Sequence, residues 1–389
     1  MNKEDSKMRL LKINVNGLSL FNESLDIDFF AEQRVSSDNN EMVSKCFGNI
    51  YTNNAISIVG INASGKTTLL KLLSFVVEFI NGEPINNIIH KDILNNSEKL
   101  SIVSYFFDPA NGLCKLESEI IKVREKEIDP KYIVSNERLW IKRTSNVKSK
   151  KDLFEFSDNQ IVKIRDNNAE YLKNDISIVI SINKTTKFYL KDLIRFTNVN
   201  FLSLNENFPH ELIAFLDPNI EKITYDKKSG QSKLKFYDKN EIIITNPLNF
   251  EKYLSSGTIK GINIFINAMM VFEKGGYLIV DEIENHFHRE IVVTLIRFFM
   301  NKKINKNGAT IIFSTHYSEL LDEFERNDNI YIVRNRNGIY PQKLSEILTR
   351  NDIKKSEAFK SDFLDGTVPT YESYINLKNA FSSGKIKGA

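Results

Sequence analysis

One eight-residue run constrains the fold of this chain more than any other part of its sequence. Gly60-Ile61-Asn62-Ala63-Ser64-Gly65-Lys66-Thr67 has the spacing G-x-x-x-x-G-K-[ST] of a phosphate-binding loop. The apolar run Ala55–Val59 before it predicts a buried strand, and a helical pattern follows it to about Phe79. A strand, a glycine loop and a helix N-terminus together direct backbone N–H groups at phosphate oxygens. The run therefore predicts a nucleoside triphosphate site in an α/β fold.

The residues of this loop have distinct expected roles. Lys66 is expected to reach the β- and γ-phosphates, and the Thr67 hydroxyl is expected to hold Mg²⁺. The nucleotide contacts are expected from Gly60, Asn62, Ala63, Ser64, Gly65, Lys66, Thr67 and Thr68.

Composition bounds the class of protein. A chain of 389 residues predicts two lobes, or one large α/β domain with an insertion. Its net charge of +3 is too small for a nucleic-acid coat, so any basic footprint must be local. Cys46 and Cys114 cannot form a disulfide framework and lack partners at metal-ligand spacing, which favours a reducing cytoplasm. The N-terminus lacks the apolar core of a signal peptide, and the longest apolar stretch, 262–272, is too short to span a bilayer. We expect a soluble cytoplasmic protein with no membrane partner.

The pattern along the chain predicts a split α/β core. Its halves are residues 1–98 and 246–345, with an inserted β-rich and helical lobe at 99–245 and a C-terminal extension at 346–389. Short apolar runs at 277–280, 310–313 and 330–333 are typical of parallel strands buried on both faces.

The remaining segments are predicted from local pattern. Residues 31–54 are polar and indicate a loop or an insertion, whereas 100–107 and 116–123 indicate a hairpin. Residues 132–165 predict shorter strands, 167–216 mostly helix, and 218–244 a β-meander.

An acidic pair follows the apolar run Tyr277–Val280, which gives a Walker B pattern. Asp281 at the end of a central strand is expected to hold Mg²⁺, and Glu282 to orient and deprotonate the attacking water. Apolar strands that end in Asp-Glu are common, so this motif alone does not separate a catalytic pair from an ordinary strand end.

Two further features agree with a triphosphate site. His316 follows the next strand, where it could sense a γ-phosphate, although a lone histidine is more often a satisfied polar group. Leu254-Ser255-Ser256-Gly257-Thr258 begins the helical pattern at 259–272, and small hydroxyl residues there make either an anion site or an ordinary N-cap.

At these motifs the chain resembles the ABC-type ATPase superfamily, particularly its soluble branch of RecF, SMC and OLD-like proteins. Asn62 is similar to the asparagine of that branch's phosphate loop, Leu254-Ser255-Ser256-Gly257 to its signature motif, Asp281 and Glu282 to its Walker B pair, and His316 to its switch histidine. The motif order is the superfamily order. The resemblance implies an ABC-type P-loop domain, a mixed sheet flanked by helices, with an inserted α+β lobe.

The resemblance also implies an activity. It implies Mg²⁺-dependent ATP hydrolysis with Lys66, Glu282 and His316 as catalytic residues, Thr67 and Asp281 at the metal, and Ser255, Ser256 and Gly257 on the nucleotide of a partner subunit. A homodimer or higher homo-oligomer follows from this arrangement. Size and the segment 363–369 look most like the small ATPase subunits of bacterial phage-defence operons, such as PARIS or Septu types, which implies an effector nuclease or toxin from a neighbouring gene.

Some features depart from the superfamily or leave alternatives open. The glutamine usually found after the P-loop helix has no counterpart, since no glutamine lies between Gln33 and Gln160. An ATP-bound scaffold that sequesters a toxin therefore stays open as a second hypothesis. A third is a DNA-repair ATPase that contacts nucleic acid through the lysine-rich segment 142–151, for which a solvated loop is the simpler interpretation. Residues 284–288 look like the D-loop of the OLD-like branch, which explains His286 and His288 better than a metal site does.

Overall fold

The computed structural model describes most of the chain. The described residues are 7–22, 24–37, 40–123, 130–166, 172–182, 186–196, 202, 209–285, 287–350, 353–368 and 371–382.

The described strands and helices follow in chain order. The strands are β1 Arg9–Asn16, β2 Leu25–Asp28, β3 Val43–Phe47, β4 Ile50–Asn53, β5 Ala55–Val59, β6 Lys99–Asp108, β7 Gly112–Val123, β8 Lys131–Lys142, β9 Ile161–Ile164, β10 Leu190–Asp192, β11 Ile220–Asp226, β12 Gln231–Phe236, β13 Ile242–Ile244, β14 Tyr277–Val280, β15 Thr310–Thr315, β16 Ile330–Asn335 and β17 Ile339–Lys343. The helices are α1 Lys66–Ile80, α2 His210–Leu216, α3 Ser256–Lys274, α4 Arg289–Phe299, α5 Leu344–Ile347, α6 Lys355–Lys360 and α7 Tyr371–Ser382.

A mixed sheet forms the centre of the molecule. Its order is β10-β14-β15-β5-β16-β17, and every neighbouring pair is parallel except β16 with β17. The predicted strands at 55–59, 277–280, 310–313 and 330–333 all lie in it, which confirms the α/β class. Side chains of β5 and β15 alternate between a core with α1 and a core with α3 and α4, so helices cover both faces.

A second, antiparallel sheet has the order β2-β1-β6-β7-β8-β9. The predicted hairpin at 100–107 and 116–123 is confirmed as β6 and β7. β1 precedes the P-loop in sequence yet pairs with β6, so this sheet crosses the boundary placed at residue 98. β10 lies within the segment 99–245, yet it joins the central sheet because it pairs with β14.

The structure contradicts the loop interpretation of 31–54 and the mostly helical prediction for 167–216. Residues 31–54 hold the β3–β4 hairpin rather than a loop throughout, because Val43, Cys46 and Ile50 are buried despite the polar residues around them. The described part of 167–216 is not mostly helical. It contains α2, short 3₁₀ turns at Ile178–Ser181 and Ile194–Phe196, and β10.

The β-meander at 218–244 is confirmed as β11-β12-β13. Its apolar face packs with α2 against the first half of α3, where Ile259, Ile262 and Ile266 are buried. This packing fixes the N-terminus of α3, where the serine–glycine motif lies. No helix in the described ranges combines the length and apolarity needed to cross a bilayer.

Candidate functional site

The loop between β5 and α1 has the backbone that its glycines permit. Ala63 has a φ of 60° and Gly65 a φ of 101°, both in the left-handed region, and α1 begins at Lys66. A Cβ atom on Gly60 would lie 2.4 Å from the Val333 carbonyl oxygen, and one on Gly65 would lie 2.5 Å from Ile339 Cγ1. Both glycines are therefore required by close packing against β16 and β17.

Lys66 is buried at the base of this loop. Its Nζ donates to the carbonyl oxygens of Gly60 at 3.0 Å and Ile61 at 3.1 Å, and it lies 3.3 Å from His316 Nδ1. Burial lowers the pKa of Lys66, and the nearby carboxylates, Asp281 foremost, oppose that shift. The predicted phosphate-binding lysine thus lies beside the predicted histidine, although 250 residues separate them in sequence.

Asp281 meets Thr67 across the sheet edge. Because β14, β15 and β5 are parallel neighbours, their carboxyl ends lie at one edge. The Thr67 hydroxyl donates to Asp281 Oδ2 at 2.6 Å, and the Ser314 hydroxyl donates to Asp281 Oδ1 at 2.5 Å. A hydroxyl and a carboxylate are oxygen ligands of the kind that Mg²⁺ takes. The residues therefore fit the metal that the sequence predicts.

Glu282 is held by contacts on several sides. Its φ is 46°, in the left-handed region, and its N–H donates to Ser314 Oγ at 2.7 Å. The Asn285 amide donates to Glu282 Oε2 at 2.5 Å, and His316 Nε2 lies 3.5 Å from Glu282 Oε1. The side chain is 38% exposed, so it is both oriented and accessible. That combination suits a general base.

Glu284 joins the acidic turn to the histidine. The His316 N–H donates to Glu284 Oε1 at 2.5 Å. Glu284 is buried, and its Oε2 has no hydrogen-bond partner in the described part of the chain. The carboxylate fixes the backbone of the histidine relative to the acidic pair.

The serine–glycine motif has the N-cap geometry that the sequence left open. Ser255 is the N-cap of α3, and its Oγ accepts from the Thr258 N–H at 3.0 Å. α3 begins at Ser256, so Ser256 and Gly257 occupy its first turn. Binding of a partner's nucleotide by these residues stays a prediction.

The lysine-rich segment offers fewer free cations than its sequence suggests. Lys142 Nζ donates to the backbone oxygens of Asp152 and Glu155, and Lys150 Nζ donates to three consecutive carbonyls beginning at Ala31. Arg143, Lys148 and Lys151 are exposed.

His286 lies outside the described residues, and no group of three metal-ligating side chains occurs among those described.

Sequence reasoning missed the residues that position the predicted ones. Ser314 contacts both acidic residues, and Asn285 holds the Glu282 carboxylate. The signal for Ser314 was its place at the end of a parallel strand, two residues before His316. Asn285 carried no comparable signal, because its role depends on the turn that follows β14.

The chain has been compared with protein families, curated proteins and solved structures. The family model described as "AAA domain, putative AbiEii toxin, Type IV TA system" matches residues 56–322, which include the P-loop, the acidic pair and His316. No curated protein matches the chain. Among solved structures, the chain is similar to the SMC head domain from Thermotoga maritima, with 13% identity, a TM-score of 0.39, and coverage of 86% of this chain and 99% of that chain.

Proposed function

The chain belongs to the family of AAA domains described as a putative AbiEii toxin of a type IV toxin–antitoxin system, and from this premise we propose that it is an ATP-hydrolysing switch subunit of a bacterial anti-phage defence system. Family membership supports nucleotide binding and ATPase activity. The defence role, the dimer and the coupling to an effector are the finer parts of the proposal. We also propose that the chain acts in the cytoplasm, where its two buried cysteines would stay reduced.

The convergence of Lys66, Thr67, Asp281, Glu282 and His316 at one sheet edge is the observation that carries the proposal. We assign ATP phosphates to Lys66 and to the backbone of residues 60–67. Mg²⁺ bound by Thr67 and Asp281 would neutralise charge on the phosphate oxygens.

Glu282 is assigned as the base that takes a proton from the attacking water. Its carboxylate is partly exposed and lies beside His316, which reads the γ-phosphate. Lys66 has to leave the Gly60 and Ile61 carbonyls to reach the phosphates, so nucleotide binding would alter the loop contacts seen here.

The serine–glycine motif supports a head-to-tail dimer. Ser255, Ser256 and Gly257 at the N-terminus of α3 would contact the nucleotide held by a second copy, because a helix N-terminus attracts anions. Hydrolysis would then open the dimer and signal to an effector, a nuclease or toxin from a neighbouring gene.

Glu282→Gln tests the assignment of the base, with Glu290→Gln, at an exposed position in the first turn of α4, as the matched control. We expect Glu282→Gln to bind ATP with unchanged affinity, to lose turnover, and to accumulate as a dimer in ATP by size-exclusion chromatography. The control should turn over ATP like the wild type. Unchanged turnover in Glu282→Gln would remove Glu282 from the mechanism.

A second candidate is an ATP-bound scaffold that sequesters a toxin or nuclease with slow hydrolysis. Two observations favour it: the missing glutamine, and the Asn285 amide that occupies Glu282 Oε2. ATP turnover measured with and without the neighbouring gene product separates the candidates, because a switch is stimulated and a scaffold is not. A DNA-repair ATPase is less favoured, since Lys142 and Lys150 are already bound within the chain.

A further inference from the structure

A cavity of about 290 Å³ lies beside the acidic turn. It is bordered by the carboxyl ends of β10 and β14, by the turn that carries Glu282 and Asn285, and by Lys260 and neighbouring residues of α3. None of the residues 60–67 borders it, so it is separate from the phosphate loop. The carboxyl ends of parallel strands are where open α/β sheets bind ligands. Its volume is near the lower limit of small-molecule sites, roughly 300 Å³.

Lys260 gives this cavity an anion-binding group. It is 8% exposed, and among the residues that the structure describes it has no hydrogen bond or ion pair. The Lys260 side chain is largely covered by its neighbours, and this burial lowers the pKa of Lys260. An anion that contacts Lys260 would favour its charged form and offset this effect of burial. Lys191, whose Nζ lies 5.7 Å from the Tyr189 ring centroid, is a second cation on the wall.

The rest of the lining restricts the anion. Asp192, Asp281 and Glu282 also border the cavity, so a polyanion such as a nucleotide would be repelled. Ile264 and Phe287 provide apolar surface, which suits a compact hydrophobic body. We propose that this cavity binds a small monocarboxylate with an apolar body, and that Lys260 holds the carboxylate.

The cavity also contacts the turn that carries Glu282. The effect on catalysis that we infer from this contact depends on the proposed function. Asn285 borders the cavity and donates to Glu282 Oε2 at 2.5 Å. A ligand that accepts the Asn285 amide would free the Glu282 carboxylate. Occupancy of the cavity would thereby raise ATP turnover.

Benzoate is the probe, and its neutral isostere benzamide is the comparison. Binding of each compound to the full chain is measured by ligand-observed NMR in the absence of nucleotide. The variants are Lys260→Met and, as a matched control, Lys274→Met at the exposed end of the same helix. We expect millimolar binding of benzoate to the wild type and to Lys274→Met, about tenfold weaker binding to Lys260→Met, and weaker binding of benzamide throughout. Equal benzoate binding by Lys260→Met, or no benzoate binding by the wild type, would overturn the proposal.

A second measurement uses the wild-type chain and therefore does not require that any variant folds. Acetic anhydride labels lysines, and mass spectrometry of the wild type reports each one. Benzoate should slow acetylation of Lys260 and leave that of Lys274 unchanged, whereas equal rates with and without benzoate would contradict the site. Lys66→Ala should retain benzoate binding. Absence of ATPase activity in the wild type together with intact benzoate binding would therefore count against the proposed function and not against the cavity.

Discussion

Ser314→Ala tests whether a buried serine hydroxyl holds both acidic residues in place. Ser314 lies at the end of β15 and is fully buried. Its hydroxyl donates to Asp281 Oδ1 at 2.5 Å and accepts from the Glu282 N–H at 2.7 Å. The substitution removes one oxygen atom and both hydrogen bonds while keeping the packing almost unchanged.

The expected cost follows from these two contacts. A hydrogen bond to a charged carboxylate contributes about 1.5–3 kcal/mol, and a buried N–H left without a partner costs about 1–3 kcal/mol. The two terms share one side chain and are not fully additive, so we expect the free energy of unfolding to fall by about 2–4 kcal/mol. If the chain hydrolyses ATP as proposed, displacement of the Glu282 carboxylate should also lower turnover by about 10–100-fold.

Urea denaturation without nucleotide measures the stability change, with Ser57→Ala as the matched control. Ser57 is a fully buried serine on the adjacent strand β5, and its hydroxyl has no partner among the described residues. Ser57→Ala should be neutral or slightly stabilising, because it removes an unsatisfied polar group. If the two variants lie within about 0.5 kcal/mol of each other, the positioning role of Ser314 is refuted.

Three further predictions concern other positions. Gly65→Ala should destabilise the fold by about 1–3 kcal/mol more than Gly48→Ala in urea denaturation, because both have positive φ but only the first meets a β17 side chain; equal losses would contradict this. Lys150→Met should lower the free energy of unfolding by about 1–3 kcal/mol, because it removes the contacts with three carbonyl oxygens, whereas Lys148→Met at an exposed position should leave it unchanged. A larger loss of stability in Lys148→Met than in Lys150→Met would show that the carbonyl contacts contribute little. Burial lowers the pKa of Lys343, but its ammonium contacts the carboxylates of Asp28 and Glu32. These two contacts outweigh burial, so the pKa of Lys343 lies above the ordinary 10.5. Its stabilisation is therefore complete below pH 10.5 and lost as the pH rises through the folded-state pKa, so the stability gap to Lys343→Met should narrow only above pH 10.5.

Local sequence predicted much of the fold because its signals are short-range. The P-loop spacing located β5 and α1, and apolar runs located β14, β15 and β16 of the central sheet, whereas β10 was missed. The β-meander followed from alternation and turn residues. The hairpin at β3 and β4 was missed, because its few buried residues are interspersed with polar ones.

The sequence by itself determined which residue types could bind a triphosphate and in what order they occur, since spacing fixes the loop, the acidic pair and the histidine. Only the tertiary structure decided which of these residues contact one another and which lysine ammonium groups are already bound within the chain. Ser314 reaches both acidic residues, and Lys150 is bound to distant carbonyls, because strand pairing and loop packing bring together groups far apart in the chain. Such contacts depend on the path of the whole backbone, and no local pattern records that path.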